Sequence, residues 1–420
     1  MEYAPGDAIG DYLVEAVLGR GAMGTVYAAV HPVIERRVAI KVLRPELSAR
    51  DEIVWRFIHE ARAVNRIRHP GIVDVFGYGN TEDDCAYLVM ERLEGETLGS
   101  ELRRGRLPLA RACELLGAIA DALAAAHAAG VVHRDLKPDN VFLVGAGRVK
   151  LLDFGLAKLA APDAPIELTA RGQALGTPAY MAPEQARGST VDARADVFAL
   201  GCVLYECLTG VPPFSGSTRT AVLVKLMFCD IPRIGPRDHA LPDALVGVVE
   251  SMMARAPGDR FVDGAAVAAA LGGLAIPESA RRRGRRDAAW TPLTQPDLVF
   301  SCVILVEGGL PHDPGVADDV RLETLADGAL AIVVDRGHPA DQVGAARRLA
   351  RKLARAAPER AIAIAGGGGP LERVIERAAA LLTEHAIARA IDSGVSPIAL
   401  EPALERLVDG RPSRADDGAR

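Results

Sequence analysis

No Cys-x-x-Cys pair occurs in the 420 residues, and the six cysteines (Cys85, Cys113, Cys202, Cys207, Cys229, Cys302) stand apart from any histidine cluster. That excludes a zinc-ribbon or disulfide scaffold and leaves reduced core thiols in a cytosolic protein as the expectation. No stretch reaches the roughly 18 to 20 uninterrupted apolar residues that a membrane helix needs. The longest candidates, 265–276 and 115–132, are too short or broken by Asp121 and His127. The first ten residues lack a basic segment followed by an apolar one, so no signal peptide is expected. A formal net charge of −6 argues against general nucleic-acid binding. What remains is the composition of an ordinary globular protein, 49% hydrophobic and 25% charged, long enough for two or three domains.

One stretch organises the rest. Val131-Val132-His133-Arg134-Asp135-Leu136-Lys137-Pro138-Asp139-Asn140 is followed thirteen residues later by Asp153-Phe154-Gly155. A polar run between apolar segments reads as a loop on a rigid scaffold, where functional side chains concentrate. The order H-R-D-L-x-x-x-N followed by D-F-G resembles the catalytic and metal-binding loops of Hanks-type serine/threonine protein kinases. The resemblance covers about residues 11–275. It implies a bilobal α+β fold, with a β-rich N-lobe near 11–90 and a helical C-lobe near 94–275.

The flanking segments carry the rest of the pattern. Apolar residues through Leu18 lead to Gly19-Arg20-Gly21-Ala22-Met23-Gly24, and Val26–Val30 is again β-prone. Alone, G-x-G-x-x-G describes a tight hairpin turn. A second strand after it, rather than a helix, fits the kinase loop over ATP phosphates. Val38-Ala39-Ile40-Lys41 follows, with Lys41 fifteen positions after Val26, and matches the lysine that pairs the α/β-phosphates. Ser48-x-x-Asp51 reads as a capping box opening a helix to about residue 66. On it Glu60 shares a face with Phe57, Ala61 and Val64. A carboxylate facing a core needs a partner, and the resemblance makes Lys41 that partner. Residues 72–75 and 87–90 read as the strands completing a five-stranded N-lobe, and 107–129 as a scaffold helix ended by Gly130. By resemblance Met90 is the gatekeeper and Glu91 to Leu93 the hinge. The implied ATP contacts are Leu18, Gly19, Gly21, Gly24, Val26, Ala39, Lys41, Met90, Glu91 and Leu93.

The resemblance also assigns roles. Asp135 would accept or orient the proton of a substrate hydroxyl, Lys137 would neutralise the transferring phosphoryl group, and Asn140 and Asp153 would ligate Mg²⁺. Lys137 is the serine/threonine-specific feature. Thr177, in Gly176-Thr177-Pro178, would hydrogen-bond the catalytic aspartate. Thr169 is the activation-loop phosphosite candidate, since a phosphate there could meet Arg134 and Lys158. Glu184 would pair with Arg260, and Asp196 would brace the catalytic-loop backbone.

Residues 276–297, with Arg281, Arg282, Arg283, Arg285 and Arg286, read as a linker. From 298 to 410 strands alternate with helices, predicting a small α/β sandwich; 411–420 is a polar tail. Leu322 to Ala331 and 361–366 resemble class III nucleotide cyclases. The first-strand aspartate of that family is missing, Glu307 being the nearest acid, and only Asp327 fits a metal position. One carboxylate cannot hold two ions, so the expectation is a non-catalytic regulatory domain, with Gly366–Gly369 as a flexible loop. The expected whole is a cytoplasmic kinase using ATP and Mg²⁺ on protein serines and threonines, autophosphorylating in its activation loop in a transient homodimer. The rival is a nucleotide-binding scaffold acting through its C-terminal domain.

Overall fold

Tight connections between short apolar runs decide the first sheet, because antiparallel neighbours need only a hairpin to pair. The computed structural model describes residues 2–145, 147–154, 178–232, 234, 241–274, 300–308, 320–325, 329–335, 339–391 and 395–404. In it β1 (Ala8–Ile9), β2 (Tyr12–Arg20), β3 (Gly24–Val30), β4 (Arg37–Leu43), β5 (Val75–Asn80) and β6 (Ala86–Glu91) form one antiparallel sheet in the order β1-β2-β3-β4-β6-β5. Helices α1 (Pro45–Ser48) and α2 (Asp51–Val64) fill the β4–β5 connection. The stripe Ile53, Phe57 and Ala61 of α2 is buried with Leu43, Ala86 and Leu88.

Two details depart from the sequence reading. Ser48 does not cap α2; its Oγ accepts the Ala86 N–H at 3.1 Å and ties the helical connection to β6. The strand expected at 72–75 starts at Val75, because Ile72 makes a lone parallel bridge to Leu151. With the two-residue β1 added, the sheet has six strands rather than five.

The next lobe contains β7 (Gly95–Thr97), α3 (Leu98–Leu102), α4 (Leu109–Ala128), β8 (Val141–Val144) and β9 (Arg148–Leu151). In the small sheet β7-β8-β9 the catalytic loop leads directly into the central strand β8, and β9 packs on α4. Gly130 follows α4 at φ +74, a left-handed position that favours glycine. Then come α5 (Pro183–Ala186), α6 (Ala193–Thr209), α7 (Arg219–Phe228), α8 (Asp243–Met252) and α9 (Gly264–Gly272). Nearly all of α6 is buried, which suits the axle on which the loops are hung.

The C-terminal unit contains β10 (Phe300–Val306), β11 (Arg321–Thr324), β12 (Leu330–Val334), α10 (Pro339–Ala356), β13 (Ile362–Gly368), α11 (Leu371–Ile391) and β14 (Ile398–Leu400). Its sheet runs β11-β12-β10-β13-β14, antiparallel except for the β13–β14 pair. Strands apolar on both faces need cover on both faces. Cys302, Ile304 and Val306 pack with Val343, Ala346 and Ala350 of α10. Val303, Leu305 and Val333 join the core that holds Val374, Ile375 and Ala378 of α11. The glycine run is not the loop the sequence suggested. Gly366, Gly367 and Gly368 lie in β13 opposite Cys302, Ser301 and Phe300. A Cβ on Gly366 would come within 2.9 Å of Leu404 and 3.0 Å of Cys302 Sγ.

The linker at 276–297, Asp327 and the tail 411–420 fall outside the described residues. All six cysteines are free and buried. Among the described residues, no helix is long and apolar enough to cross a membrane.

Candidate active site

Strand register assembles the nucleotide-side residues. Directly opposed residues of antiparallel strands share a face. The pairings set Gly19 against Val26, Val26 against Lys41, and Ala39 against Met90. Leu18, just before Gly19 in β2, is 52% exposed at the mouth of this strip. Of the three loop glycines, the fold itself requires only Gly24, where a Cβ would lie 1.9 Å from the Val42 carbonyl oxygen. A Cβ on Gly19 would meet nothing within 4 Å, and one on Gly21 nothing nearer than 3.7 Å. Those two glycines answer no packing need; the Gly21 N–H donates to the Gly24 carbonyl at 2.9 Å, and the missing Cβ atoms leave the backbone of the turn approachable. After Met90, the Glu91 carboxylate accepts the Asp74 N–H at 2.9 Å and pairs with Lys150. Its side chain thus ties the interlobe connection together, and Glu91 through Leu93 offer a base their main chain.

The catalytic loop hangs from Asp196 in the first turn of α6. Its fully buried carboxylate accepts the backbone N–H groups of His133 at 2.7 Å and Arg134 at 2.8 Å. His127 approaches the same carboxylate through Nε2 at 2.9 Å while its Nδ1 accepts the Gly264 N–H at 3.1 Å. The tautomer follows: Nε2 carries the proton and donates it. His133 repeats the logic, with Nδ1 accepting from Asp135 N–H and Nε2 donating to the Leu152 carbonyl at 3.0 Å. Arg134 is left-handed, at φ +64, a conformation that needs outside support. It receives that support at both ends, from Asp196 at its N–H and from Gln185 Nε2 at its carbonyl, 2.8 Å away.

These anchors converge on Asp135. Its Oδ2 accepts Lys137 Nζ at 2.7 Å and Asn140 Nδ2 at 3.1 Å, and Asn140 Nδ2 also reaches the Asp135 carbonyl at 2.7 Å. Asp153, left-handed at φ +53, aims its carboxylate at Lys41, whose Nζ donates at 2.7 Å. Burial alone would raise the Asp153 carboxyl, but the Lys41 charge and hydrogen bond outweigh it and hold it below its ordinary value.

The expected Lys41–Glu60 pair is therefore corrected. Lys41 is bonded to Asp153, and Glu60 Oε2 is buried with no hydrogen-bond partner among the described residues. Burial pushes the Glu60 carboxyl up to about 7, against the pull of Arg134 and Arg56. The raised value follows from the exchange: with Lys41 on Asp153, nothing from Lys41 offsets the burial of the Glu60 carboxyl. Other expectations hold in the geometry. Arg260 forks onto Glu184 at 2.7 and 2.9 Å, with both residues buried. Thr169 and Thr177 lie outside the described residues. Sequence reasoning missed Gln185, His127 and the Glu91–Lys150 pair. Only position beside recognised motifs marked them, and each acts through a contact distant in sequence.

Comparison with known proteins now places this geometry. The family model described as protein kinase domain matches residues 12–268. Serine/threonine-protein kinase Pkn1 of Myxococcus xanthus is 40% identical over 359 residues, 83% of this chain and 48% of that protein. Serine/threonine-protein kinase PknA of Mycobacterium tuberculosis is 40% identical over 282 residues, 66% of this chain and 62% of its own. This chain thus spans between about half and two thirds of the length of these relatives. The crystal structure of the Mycobacterium tuberculosis PknI kinase domain superposes with a TM-score of 0.52 at 30% identity, covering 65% of this chain and 99% of that one. With the family match extending over more than half of its length, the chain belongs to the protein kinase family.

Proposed function

We propose that this protein is a serine/threonine protein kinase that transfers the γ-phosphoryl group of ATP to hydroxyls of proteins. Protein kinases as a family use ATP and Mg²⁺ and act on proteins. The observation that carries the proposal is Asp135, held by Lys137 and Asn140 on a loop anchored to Asp196, beside the Lys41–Asp153 pair.

On this reading Asp135 Oδ2 orients the attacking serine or threonine and takes its proton. Lys137, already at that oxygen, carries positive charge to where the phosphoryl group passes. Lys41 would turn from Asp153 to the α/β-phosphates. The three glycines, with Leu18, Val26, Ala39, Met90 and the main chain at Glu91 and Leu93, would enclose the nucleotide. Asn140 spends its amide N–H₂ group on Asp135, so its Oδ1, with the Asp153 carboxylate, supplies hard oxygen donors that fit Mg²⁺. Bound there, Mg²⁺ would supply charge neutralisation at the phosphates. Thr177 and Thr169 keep their proposed places as the threonine beside the catalytic aspartate and the phosphosite, the latter filled in trans by a second copy.

We read 11–275 as the kinase domain, 276–297 as a linker and 298–410 as a cyclase-like domain that does no chemistry. Two acids of that domain, Glu323 and Glu376, are engaged by Arg187 and Lys225. Six buried free thiols fit a reducing compartment, which supports a cytoplasmic location.

Incubation with labelled Mg-ATP tests the proposal. Wild-type label that disappears in Asp135→Asn and maps to Thr169 supports a kinase that phosphorylates its own loop. ATP binding with no transfer, even to basic serine peptides, would favour the scaffold reading instead.

A further inference from the structure

The C-terminal unit is fastened to one side of the kinase lobe. Helix α11 packs on β10 and β13 of its own sheet and also on α7 of the kinase. At that seam Glu376 accepts the Ser217 N–H at 3.1 Å, the Ser217 hydroxyl and Lys225 Nζ, three donors on one carboxylate. Burial works against this carboxylate, yet the bonds from Lys225 and Ser217 prevail and keep it below its ordinary value. A second anchor lies at the other edge of the seam. Arg187 forks onto Glu323 of β11 with both bonds at 3.0 Å. A third is Arg321, whose guanidinium lies 5.5 Å over the Phe228 ring at the end of α7.

These anchors bear on the catalytic loop through one short element. Helix α5 is a single turn, too short to fix its own position by backbone bonds. Side chains place it: Glu184 on Arg260, Gln185 on the Arg134 carbonyl, and Arg187, the residue after the helix, on Glu323. A single residue, Ala186, thus separates the C-terminal unit's grip on Arg187 from the Gln185 bond that supports left-handed Arg134, the neighbour of Asp135. Helix α7, gripped by Glu376, packs on α5 as well.

We propose that the C-terminal unit is an intramolecular brace for the α5–α7 wall of the kinase site, with Glu323 and Glu376 as positioning residues. The proposal rests on the kinase reading and adds a part to it. Docking holds α5 in place, and α5 holds the Arg134–Asp135 backbone. Removing an anchor slows transfer to a peptide without touching the nucleotide strip on β2 to β6.

The full chain is tested in four forms: wild type, Arg187→Glu, Glu323→Arg and the double exchange, with Glu376→Gln as a milder variant at the other anchor. Peptide kcat and the KM for ATP are measured, with hydrogen exchange over α5 and α7. Each single change is expected to speed exchange there and lower kcat about 3- to 10-fold, the scale of coupling through packed networks. The KM for ATP stays within about twofold. The double exchange restores both readouts, which a general loss of fold would not do. A rise in kcat on undocking overturns the brace and makes the unit a blockade; an unchanged kcat despite faster exchange overturns it too. Glu376→Gln keeps the test decisive if the reversals do not fold, since faster exchange with full kcat again refutes it. Absence of peptide transfer by wild type would sink the kinase reading itself, whereas transfer insensitive to the variants sinks only the brace.

Discussion

The kinase unit and the C-terminal unit bury different kinds of side chain. Within the kinase, Lys41, His133, Asn140, Glu184, Asp196 and Arg260 are all buried, whereas the buried polar residues described in the C-terminal sheet unit are Ser301 and Gln342. Buried charge is expensive unless paired, so a chain retains it where position matters more than stability. The kinase satisfies its buried charges over long sequence distances: the His133 backbone N–H donates to Asp196 across 63 positions, and Arg260 pairs with Glu184 across 76. The C-terminal unit buries mainly Val, Ile, Leu and Ala, and places two of its acids, Glu323 and Glu376, at the seam. One region is built for positioning, the other for packing and attachment.

The sharpest way to probe that contrast is at the point where the positioned groups converge. Asp135→Asn should lower peptide kcat by about 10²- to 10⁴-fold, the usual worth of a general acid–base group, while thermal unfolding shifts little. A large drop in melting temperature would mean that Asp135 is structural. Glu184→Ala should cost about 3–5 kcal/mol in chemical unfolding, because Arg260 is left buried and unpaired. A cost under about 1 kcal/mol, the value of a surface pair, would erase the distinction between the two regions. In the C-terminal sheet the comparable loss comes from packing. Ile304→Ala, fully buried between β12 and β13, should cost about 2–5 kcal/mol and leave the KM for ATP unchanged.

The smallest effect is a pH dependence at Glu60. Its carboxyl, near 7 in the fold against an ordinary 4.5, binds protons more tightly folded than unfolded. Stability is therefore lost as pH rises from about 4.5 through 7. Glu60→Gln should be more stable than wild type at pH 8, by about 1–2 kcal/mol after allowing for its partial exposure, and equal to it near pH 4.5. Melting curves at the two pH values check this. A difference that grows on acidification would mean that Glu60 is ion-paired after all.

The kinase half was legible because its motifs are ordered and local. His133 to Asn140 supplies the loop, and Gly19 to Lys41 supplies a hairpin and strand whose register follows from a short turn. Even the Glu184–Arg260 pair could be named from matching positions. The errors came where a side chain chose between partners. Ser48 could cap a helix or take the Ala86 N–H, and it took the latter. Lys41 could take Glu60 or Asp153, and in the fold its Nζ donates to Asp153 at 2.7 Å. The glycine run near 366 reads as a loop by composition, yet it pairs with β10 as a strand, and Cys302 and Leu404 leave no room for a Cβ at Gly366.

By itself, then, the order of residues determined the family, the α+β architecture and the groups available for chemistry, because motif spacing and apolar periodicity act over a few residues. Tertiary structure alone decided which carboxylate Lys41 holds, how Gln185 and His127 steady the catalytic loop, and where the C-terminal unit sits on α7. Those outcomes depend on distance and competing burial between residues tens to hundreds of positions apart, and no local pattern encodes them.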